Sequence, residues 1–311
     1  MHFLLVGPGA LGCLLGFIIS RGKARDDRLT ILDYNADRAE YISRHGIVYK
    51  SGDTEKCLRV TAVSAPEAID AVDVVLLCVK SYHLLNSLEF CNPLLTDRTL
   101  LVFLQNGISH LNMKDKLSSA TAAFGTTTEG AILLEKGHVH HTGRGDTQLG
   151  FQEPPDDHFI DLLTKTAGVL GAGGLVVEIT SEIIAKLWAK LFVNVGINAL
   201  SATLDCKNGE LLNLPGVSSR MPKAIDEAVQ VARAYNIPVP PDPWAITKNV
   251  CRNTAENFSS MVQDVRNKRP TEIHAINGAV VALGEKRSIA TPENIVLLKQ
   301  IKTLESGYCH Q

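Results

Sequence analysis

The feature that most constrains the fold is a glycine-rich hexapeptide near the N-terminus, set between two apolar segments. Residues 2–6 (HFLLV) have the length of a buried strand, residues 7–12 read GPGALG, and residues 13–20 (CLLGFIIS) form an apolar helical segment. Gly-x-Gly-x-x-Gly between a strand and a helix is the pattern of a dinucleotide-binding turn. The first glycine permits the tight turn, the second lets the backbone approach a pyrophosphate, and the third allows helix and strand to pack closely.

Backbone N–H groups at the start of the following helix are expected to bind the pyrophosphate, because they have no partner within the helix. The residues expected to bind the dinucleotide here are Gly7, Pro8, Gly9, Ala10, Leu11 and Gly12. A chance glycine-rich turn is the alternative. A signal peptide or membrane helix over residues 3–20 is not expected, because glycines and a proline interrupt this span and no Lys or Arg precedes it.

The second predicted strand, residues 29–32, ends at Asp33, about 20 residues beyond the glycine turn. A carboxylate at this position accepts hydrogen bonds from an adenosine ribose and repels a 2′-phosphate, which favours NADH over NADPH. Arg38 supports the opposite preference if its loop folds back, because its guanidinium would then contact the phosphate. A third interpretation makes Asp33 an ordinary turn residue at the end of a strand.

Two near-continuous apolar runs, residues 72–79 and 100–104, predict parallel strands that are covered on both faces. Each run is followed by polar residues, with Lys80 after the first and Asn106 after the second. Ligands of open α/β sheets bind beyond the carboxyl ends of the strands, so both side chains are candidates for contacts with cofactor or substrate. For Asn106, which precedes a glycine, a turn role is the alternative.

Further elements are predicted before residue 180. They are strands over residues 122–130, 137–142 and 148–151, a helix over 157–170 and a closing strand over 175–179. The second and third of these strands are expected to form an antiparallel pair through a turn at residues 143–146.

Three histidines in this region, His138, His140 and His141, raise the question of a metal site. Alternation along a strand places the first two on one face and the third on the other, and no cysteine or carboxylate stands at ligand spacing nearby. We therefore predict a solvated strand edge and no metal ligand.

After residue 180 the strand pattern gives way to helical segments separated by turns, some of them proline-rich. The predicted helices cover residues 181–201, 218–235, 243–268, 271–284 and 292–306. The predicted fold class is therefore α/β. A Rossmann-type doubly wound sheet forms a dinucleotide-binding domain over residues 1–180, and an all-α substrate and catalytic domain follows over residues 181–311.

In the first of these helices, Lys190, Asn194 and Asn198 recur every four residues and form one polar stripe on an otherwise apolar surface. Ammonium and amide groups are costly to bury without partners. Either the stripe is solvated while the rest of the helix is packed, or it lines a cleft that binds a small, oxygen-rich ligand.

Other polar positions of the helical half are candidates for the same site. Asn257 and Ser260 lie three residues apart and are expected on one helical face. Glu272 is expected in the first turn of a helix, where an interaction with the helix dipole is the alternative to a functional role. Asn208 precedes a glycine, so a structural turn is its alternative.

The bulk composition narrows the class of partner. The chain has 311 residues, of which 45% are hydrophobic, and this suffices for the cores of two domains. A formal net charge of −2 provides no basic field for nucleic acid or an anionic membrane. Seven scattered cysteines without a Cys-x-x-Cys pair are typical of a reduced, cytoplasmic protein. We expect a small-molecule substrate and a monomer or homodimer.

Taken in order, these motifs resemble those of the 2-dehydropantoate 2-reductase, or ketopantoate reductase, family over essentially the whole chain. The matching segments are GPGALG (7–12), CVKSYH (78–83), QNG (105–107), GTTTEGA (125–131), LWAKLFVNVGINAL (187–200), NGEL (208–211), ENFSSMVQDVRNKRPTEIHAING (256–278) and TPEN (291–294). The resemblance implies NAD(P)H-dependent reduction of ketopantoate to pantoate, a step of pantothenate and coenzyme A biosynthesis. Hydride would reach the C2 carbonyl while a lysine acts as general acid.

The resemblance also implies roles for individual residues. Lys190 matches the catalytic lysine, Glu272 matches the acidic residue beside cofactor and substrate, and Asn194, Asn198, Asn208 and Ser260 match substrate contacts with Asn257 beside them. Asn106 matches a residue that contacts both ligands, while Lys80 and Ala131 match cofactor contacts. Members commonly carry an arginine just after the second strand to bind the 2′-phosphate, whereas this chain has Asp33 there. NADP is therefore the family expectation, and NAD stays open.

Two other functions stay open from the sequence. The first is a related reductase of another branched 2-oxo acid, because such dehydrogenases share the architecture of a sheet domain followed by helices. The second is a catalytically silent nucleotide-binding regulator that keeps the glycine turn. The presence of both Lys190 and Glu272 argues against the regulator.

Overall fold

The structure is a computed structural model that describes residues 1–116 and 120–310. The chain divides into two compact units. The first unit comprises Met1–Gln105 and Asn112–Ile183, and the second comprises Asn106–Leu111 and Ile184–Gln311. The short segment that begins at Asn106 therefore belongs with the helical part of the chain, although the sequence places it directly after a strand of the sheet.

The first unit contains the β-strands and the first helices. Its strands are β1 (His2–Val6), β2 (Arg28–Leu32), β3 (Ile47–Ser51), β4 (Thr54–Leu58), β5 (Thr61–Val63), β6 (Val74–Leu77), β7 (Leu100–Phe103), β8 (Thr121–Thr127), β9 (Gly130–Glu135), β10 (His138–Gly143), β11 (Asp146–Gly150) and β12 (Val176–Ile179). Its helices are α1 (Ala10–Gly22), α2 (Ala36–His45), α3 (Leu84–Cys91) and α4 (Asp157–Gly173).

The main sheet has the strand order β12-β11-β8-β7-β6-β1-β2-β5 among the described residues. The strands from β5 to β8 in this order pair in parallel, and the direction of winding reverses between β1 and β6. Residues such as Leu4, Val75 and Leu101 are fully buried. Their apolar runs have no polar alternation because helices cover both faces of a parallel sheet. The predicted doubly wound sheet is confirmed.

The strands beyond β8 differ from the prediction. Residues 122–130 were expected to form one strand, but the chain breaks at residues 128–129 and forms β8 and β9 in two different sheets. β9 and β10 belong to a second sheet of order β4-β3-β10-β9, whereas β11 pairs with β8 and β12 in the main sheet. The predicted antiparallel pair of residues 137–142 and 148–151 is therefore wrong. Alternation in a sequence identifies a strand but not its hydrogen-bonding neighbour.

The prediction of a solvated edge is also wrong for His141, which is only 5% exposed. The Tyr49 hydroxyl lies 2.8 Å from its Nδ1, and a carboxylate oxygen of Glu129 lies 2.5 Å from its Nε2. His138, on the opposite face, lies beside the exposed Glu55 at 3.4 Å. His141 is buried because its face of β10 packs on α1, where Phe17 stacks on Tyr49. Among the described residues, no group of three or more potential ligands is placed to bind a metal.

The second unit is helical. Its helices are α5 (Ile183–Leu204), α6 (Val217–Ala234), α7 (Pro243–Asn253), α8 (Ser260–Arg266), α9 (Asn277–Lys286) and α10 (Pro292–Ser306). By length and composition alone α5 could cross a membrane, but most of its apolar window is buried within the fold, as in the core helix of a soluble protein.

Two predicted helices of this unit differ from the observed ones. The predicted helix over 243–268 is interrupted at residues 254–259 and forms α7 and α8, with Ser259 capping α8 by accepting from the Val262 N–H. The predicted helix over 271–284 begins only at Asn277, so Glu272 lies in the preceding turn. The expected placement of Glu272 in the first turn of a helix is therefore wrong. Turns precede both observed helices, at residues 254–256 and 273–276, so periodicity alone did not place the helix boundaries.

The buried carboxylate of Glu227 binds the TPEN segment, residues 291–294, at the start of α10. Glu227 of α6 accepts hydrogen bonds from the backbone N–H groups of Glu293 and Asn294, at 2.8 and 2.9 Å. The Asn294 side chain donates to the same carboxylate at 2.8 Å and also binds the Ala224 carbonyl. Asn277 of α9 donates to Asn294. Glu227 thus satisfies the free N–H groups at the start of α10 and joins three helices.

Replacing this carboxylate should destabilise the second unit. We expect Glu227→Ala to lower the free energy of unfolding by about 3 kcal/mol, because it leaves several buried donors without an acceptor. The neighbouring Asp226 is exposed on the same helix, so Asp226→Ala is the matched control and should change the value by less than about 0.5 kcal/mol. Urea denaturation followed by circular dichroism provides the comparison. Equal effects of the two substitutions would contradict the proposed role of the network.

Candidate active site

The glycine turn of the first unit leaves its backbone open at one position and closed at two others. A Cβ on Gly7, where φ is +90°, would lie 2.5 Å from a methyl group of Val79, and a Cβ on Gly12 would lie 2.1 Å from the Gly7 carbonyl oxygen. A Cβ on Gly9 would meet no atom within 4 Å. The start of α1 has no side-chain cap and no acidic residue in its first turn. The turn therefore fits a pyrophosphate, which would lie against Gly9 and the helix N-terminus.

Asp33, at the end of β2, is fully engaged within the protein. Its carboxylate forms a two-point ion pair with Arg38, from Nε to one oxygen and from Nη2 to the other at 2.7 Å, and it also accepts from the Asn35 N–H. The Asp33 side chain is buried, whereas Arg38 remains about one quarter exposed. The segment after β2 folds back so that the Arg38 side chain lies at Asp33, which was the condition for Arg38 to contact a 2′-phosphate. The argument that a free carboxylate repels a 2′-phosphate therefore loses its basis, because the guanidinium compensates the charge.

Lys80 and Ala131 lie at different distances from the strand ends. Lys80 directly follows the segment after β6 and precedes a short 3-10 helix, while Ala131 is the second residue of β9.

The Gln105 side chain donates to the carbonyls of Leu77 and Val79, at 2.8 and 3.2 Å, and thereby holds the backbone that leads to Lys80. Sequence reasoning missed Gln105. Its only signal was a polar residue at the end of a buried apolar run.

In the second unit, Asn106 joins the lysine and the carboxylate that the sequence singled out. Lys190 Nζ donates to Asn106 Oδ1 at 3.0 Å, and Asn106 Nδ2 donates to Glu272 Oε2 at 3.0 Å. The amide is therefore oriented by both neighbours, since its oxygen faces a cation and its nitrogen faces an anion. The structure brings these three predicted residues into one hydrogen-bonded chain.

Gly107 allows Asn106 to reach this position. Its φ is +79°, and a Cβ there would lie 2.0 Å from the Ala275 carbonyl oxygen, to which the Ile108 N–H also donates. A residue with a side chain would force apart the two segments that carry Asn106 and Glu272. The turn role of Asn106-Gly107 is confirmed, and this turn places Asn106 beside Lys190 and Glu272.

Burial controls the charge of this cluster. It lowers the pKa of Lys190 to about 8, and the nearby carboxylate of Glu272, itself only 4% exposed, opposes the shift. His110 lies in the same electrostatic environment, and burial lowers its pKa to about 4, so that this ring is neutral at pH 7. Sequence reasoning missed His110, whose only signal was a titratable side chain in the short segment after Gly107.

The remaining predicted substrate residues occupy two neighbouring parts of the second unit. Asn194 is half-buried and Asn198 is buried on α5, so the stripe is not solvated along its length. Asn208 is buried and is joined to the 254–257 connection, by a side-chain bond to Thr254 at 2.9 Å and a backbone bond to Asn257 at 3.0 Å.

Asn257 and Ser260 are exposed, and the prediction that they share one helical face is wrong because Asn257 precedes α8. The adjacent Ser259 bonds Ser201 of α5 at 2.8 Å, and Ser201 also donates to the Asn198 carbonyl. These bonds hold the start of α8 against the end of α5 that carries Asn198.

The cluster can donate a proton and bind an oxygen anion. A lysine with a lowered pKa is still protonated at neutral pH but gives up its proton more readily than an exposed lysine. The amides of Asn194 and Asn198 follow Lys190 at intervals of four residues on α5, and such groups can bind carboxylate or hydroxyl oxygens of a small molecule. The burial of Asn198 argues against a stripe that is solvated along its whole length, and the cleft stays a prediction.

Neutralising Glu272 should lower the pKa of Lys190 further, because the carboxylate stabilises the ammonium form. We expect Glu272→Gln to shift the titration of the Lys190 side chain to lower pH, as followed by NMR of isotopically labelled lysine. Glu285→Gln removes an exposed carboxylate of the same unit and should leave the titration unchanged. An unchanged Lys190 titration in Glu272→Gln would show that the two groups are not coupled.

Comparisons with known proteins cover nearly the whole chain. The family model described as Ketopantoate reductase PanE/ApbA matches residues 3–154, and the model for the C terminal part of the same family matches residues 182–305. The 2-dehydropantoate 2-reductase of Halobacterium salinarum is 30% identical over 294 residues, which span 94% of this chain and 95% of that protein.

Two solved structures have the same fold over their full length. The PanE/ApbA family ketopantoate reductase from Ralstonia eutropha has a TM-score of 0.90 and 28% identity, with 100% of both chains covered. A D-mandelate dehydrogenase bound to NADH and anilino(oxo)acetate also has a TM-score of 0.90, with 25% identity over 99% of this chain and 100% of that chain.

Proposed function

We propose, since the chain belongs to the ketopantoate reductase family of nicotinamide-dependent oxidoreductases, that it reduces the C2 carbonyl of 2-dehydropantoate to give pantoate. The observation that carries this proposal is the hydrogen-bonded series of Lys190, Asn106 and Glu272, in which each donor lies 3.0 Å from its acceptor. A 2-oxo acid needs a proton donor for the alkoxide that develops when hydride arrives, and the ammonium supplies one.

Lys190 acts as the general acid. Its ammonium polarises the carbonyl and then protonates the developing alkoxide, and general acid catalysis of this kind contributes on the order of 10²–10⁴-fold. A pKa of about 8 suits this role, because the group is protonated at neutral pH and lies close to the operating pH. Glu272 acts through Asn106, since its carboxylate orients the amide that accepts from the lysine.

The other polar residues bind the substrate. Asn194, Asn198, Asn208, Asn257 and Ser260 supply the amide and hydroxyl groups for its carboxylate and hydroxyl. We infer that apolar residues beside the polar stripe on α5 accommodate its paired methyl groups, because aliphatic side chains flank the stripe in the sequence.

The cofactor is a reduced nicotinamide dinucleotide, which supplies the hydride. We infer that residues 7–12 bind its pyrophosphate, with Lys80, Ala131 and Asn106 as further contacts, because the turn has open backbone where a phosphate would approach. The family expectation is NADPH, and the compensation of Asp33 by Arg38 removes the repulsion that would have favoured NADH. The Arg38 guanidinium then decides how well a 2′-phosphate is accepted.

Removing Arg38 should change the cofactor preference. In Arg38→Gln the buried Asp33 carboxylate loses its partner, so its uncompensated charge repels a 2′-phosphate. We expect kcat/KM with NADPH to fall about tenfold more than kcat/KM with NADH, which corresponds to about 1.4 kcal/mol. Steady-state kinetics with each cofactor test this, and Arg44→Gln serves as a control on an exposed arginine of the same helix. An equal loss with both cofactors would contradict the role of Arg38.

Removing the lysine should affect turnover rather than cofactor binding. We expect Lys190→Ala to lower kcat by about 10²–10⁴-fold while the dissociation constant of the cofactor stays near that of the wild type. In the unmodified protein, kcat/KM should fall as pH rises through about 8, because the ammonium is lost. Lys186→Ala, one turn earlier on α5, is the matched control. Near-normal turnover of Lys190→Ala would exclude the proposed acid.

A second candidate is a reductase of another 2-oxo acid. The structural similarity to a D-mandelate dehydrogenase favours it, because the same fold there holds an aromatic oxo acid analogue. Comparing kcat/KM for ketopantoate and for benzoylformate with the same cofactor separates the two candidates. A preference for benzoylformate would replace the proposed substrate but leave the role of Lys190 intact.

A further inference from the structure

The second unit contains a cavity of about 500 Å³ outside the lysine cluster. One wall is α7, another is the start of α6, and a third is the turn after Asn208. Its side chains include Trp244, Lys248, Arg252, Leu212 and Ser218. We call this space the α7 cavity. None of Lys190, Asn106 and Glu272 lines it.

Three side chains of α7 give this cavity its chemistry. Trp244, Lys248 and Arg252 follow one another at intervals of four residues, so they form one stripe along the helix. Lys248 Nζ lies 5.0 Å from the centre of the Trp244 ring, and Arg252 donates a hydrogen bond to the neutral side chain of Asn249 at 3.3 Å. The wall therefore combines a flat aromatic surface with two cations.

The side chains that line the cavity carry a net positive charge. No acidic residue lines it, and within residues 1–116 and 120–310 neither Lys248 nor Arg252 forms an ion pair with a carboxylate. The start of α6, at Val217, adds to the positive potential, because it has neither a side-chain cap nor an acidic residue in its first turn. Such a surface attracts an anion. These two cations differ from the carboxylates of Asp33 and Glu272, each of which accepts a hydrogen bond from another side chain.

We propose that the α7 cavity binds an organic anion with a flat, apolar body and one phosphate or carboxylate group. The flat body stacks on Trp244, and the anionic group is bound by Lys248 and Arg252. The volume lies within the range of small-molecule sites. A wholly neutral ligand leaves both cations without a counterion, and a bare anion leaves the indole surface in contact with water.

The cavity shares a wall with the proposed substrate residues. Gly209 and Ala255 both line it, and they pack so closely that a Cβ on Gly209 would lie 2.6 Å from the Ala255 Cβ. Gly209 directly follows Asn208, and the backbone of Asn208 bonds Asn257 across the same junction. An occupant of the cavity should therefore change the KM for the oxo acid more than kcat. This last point rests on the proposed function, whereas binding itself does not.

Phenyl phosphate is the probe, and binding is measured by calorimetric titration of the full chain in the presence of saturating reduced cofactor. The cofactor occupies the glycine turn, which would otherwise compete for the phosphate group. We expect the double substitution Lys248→Gln, Arg252→Gln to weaken binding at least tenfold, and Trp244→Leu to weaken it as well. The matched control is Lys299→Gln with Lys302→Gln, which removes two exposed cations of α10 and should leave the affinity unchanged. Benzyl alcohol, which lacks the anion, should bind at least tenfold more weakly than phenyl phosphate.

The two tryptophans provide a second measurement that does not depend on any substitution. Trp188 is buried on α5 and Trp244 lines the cavity, so phenyl phosphate should shift the indole N–H resonance of Trp244 and leave that of Trp188 in place. Full affinity in the double variant, equal binding of benzyl alcohol, or an unshifted Trp244 resonance would each overturn the proposal. Binding without any effect on reductase kinetics would leave the site intact and remove only its link to the substrate residues.

Discussion

The burial of one ammonium group on an apolar helix is the constraint on which the second unit depends. Lys190 sits on α5 among side chains that exclude water, and burial alone would drive it towards the neutral form. Asn106 Oδ1 accepts a hydrogen bond from the ammonium, its Nδ2 donates to Glu272, and the nearby carboxylate favours the charged form of the lysine. Burial lowers the pKa of Lys190 to about 8 and the Glu272 carboxylate opposes the shift, so the ammonium titrates close to neutral pH.

In each unit a glycine allows two backbone segments to lie in close contact. Gly12 lets the start of α1 lie against the carbonyl of Gly7, and Gly107 lets the segment of Asn106 lie against the carbonyl of Ala275. In each case a methyl group would displace backbone rather than a mobile side chain. The first contact shapes the turn that we propose binds the pyrophosphate, and the second places an amide between a cation and a carboxylate, so each glycine is required by a close backbone contact.

The buried charged side chains with a structural role have partners within the protein, whereas the two cations of the α7 cavity have no carboxylate partner among the described residues. Asp33 is paired with Arg38, and Glu227 is satisfied by donors at the start of α10. Lys248 and Arg252 have no such carboxylate among the described residues, although they line a cavity beside an indole ring. Unpaired charge is common on an exposed surface, but in a concave site it is a source of binding energy for a ligand of opposite sign.

The sequence alone determined the doubly wound sheet, the glycine turn, the helical second half and the three polar positions of α5, because apolar runs and four-residue spacing are local patterns. Only the tertiary structure decided which strands pair beyond β8, why His141 is buried, where α9 begins, and that Arg38 compensates Asp33. It also brought Asn106 to Lys190 and Glu272, residues separated by more than 80 positions. Such contacts depend on packing between distant segments, and no periodicity within one segment records its neighbour in space.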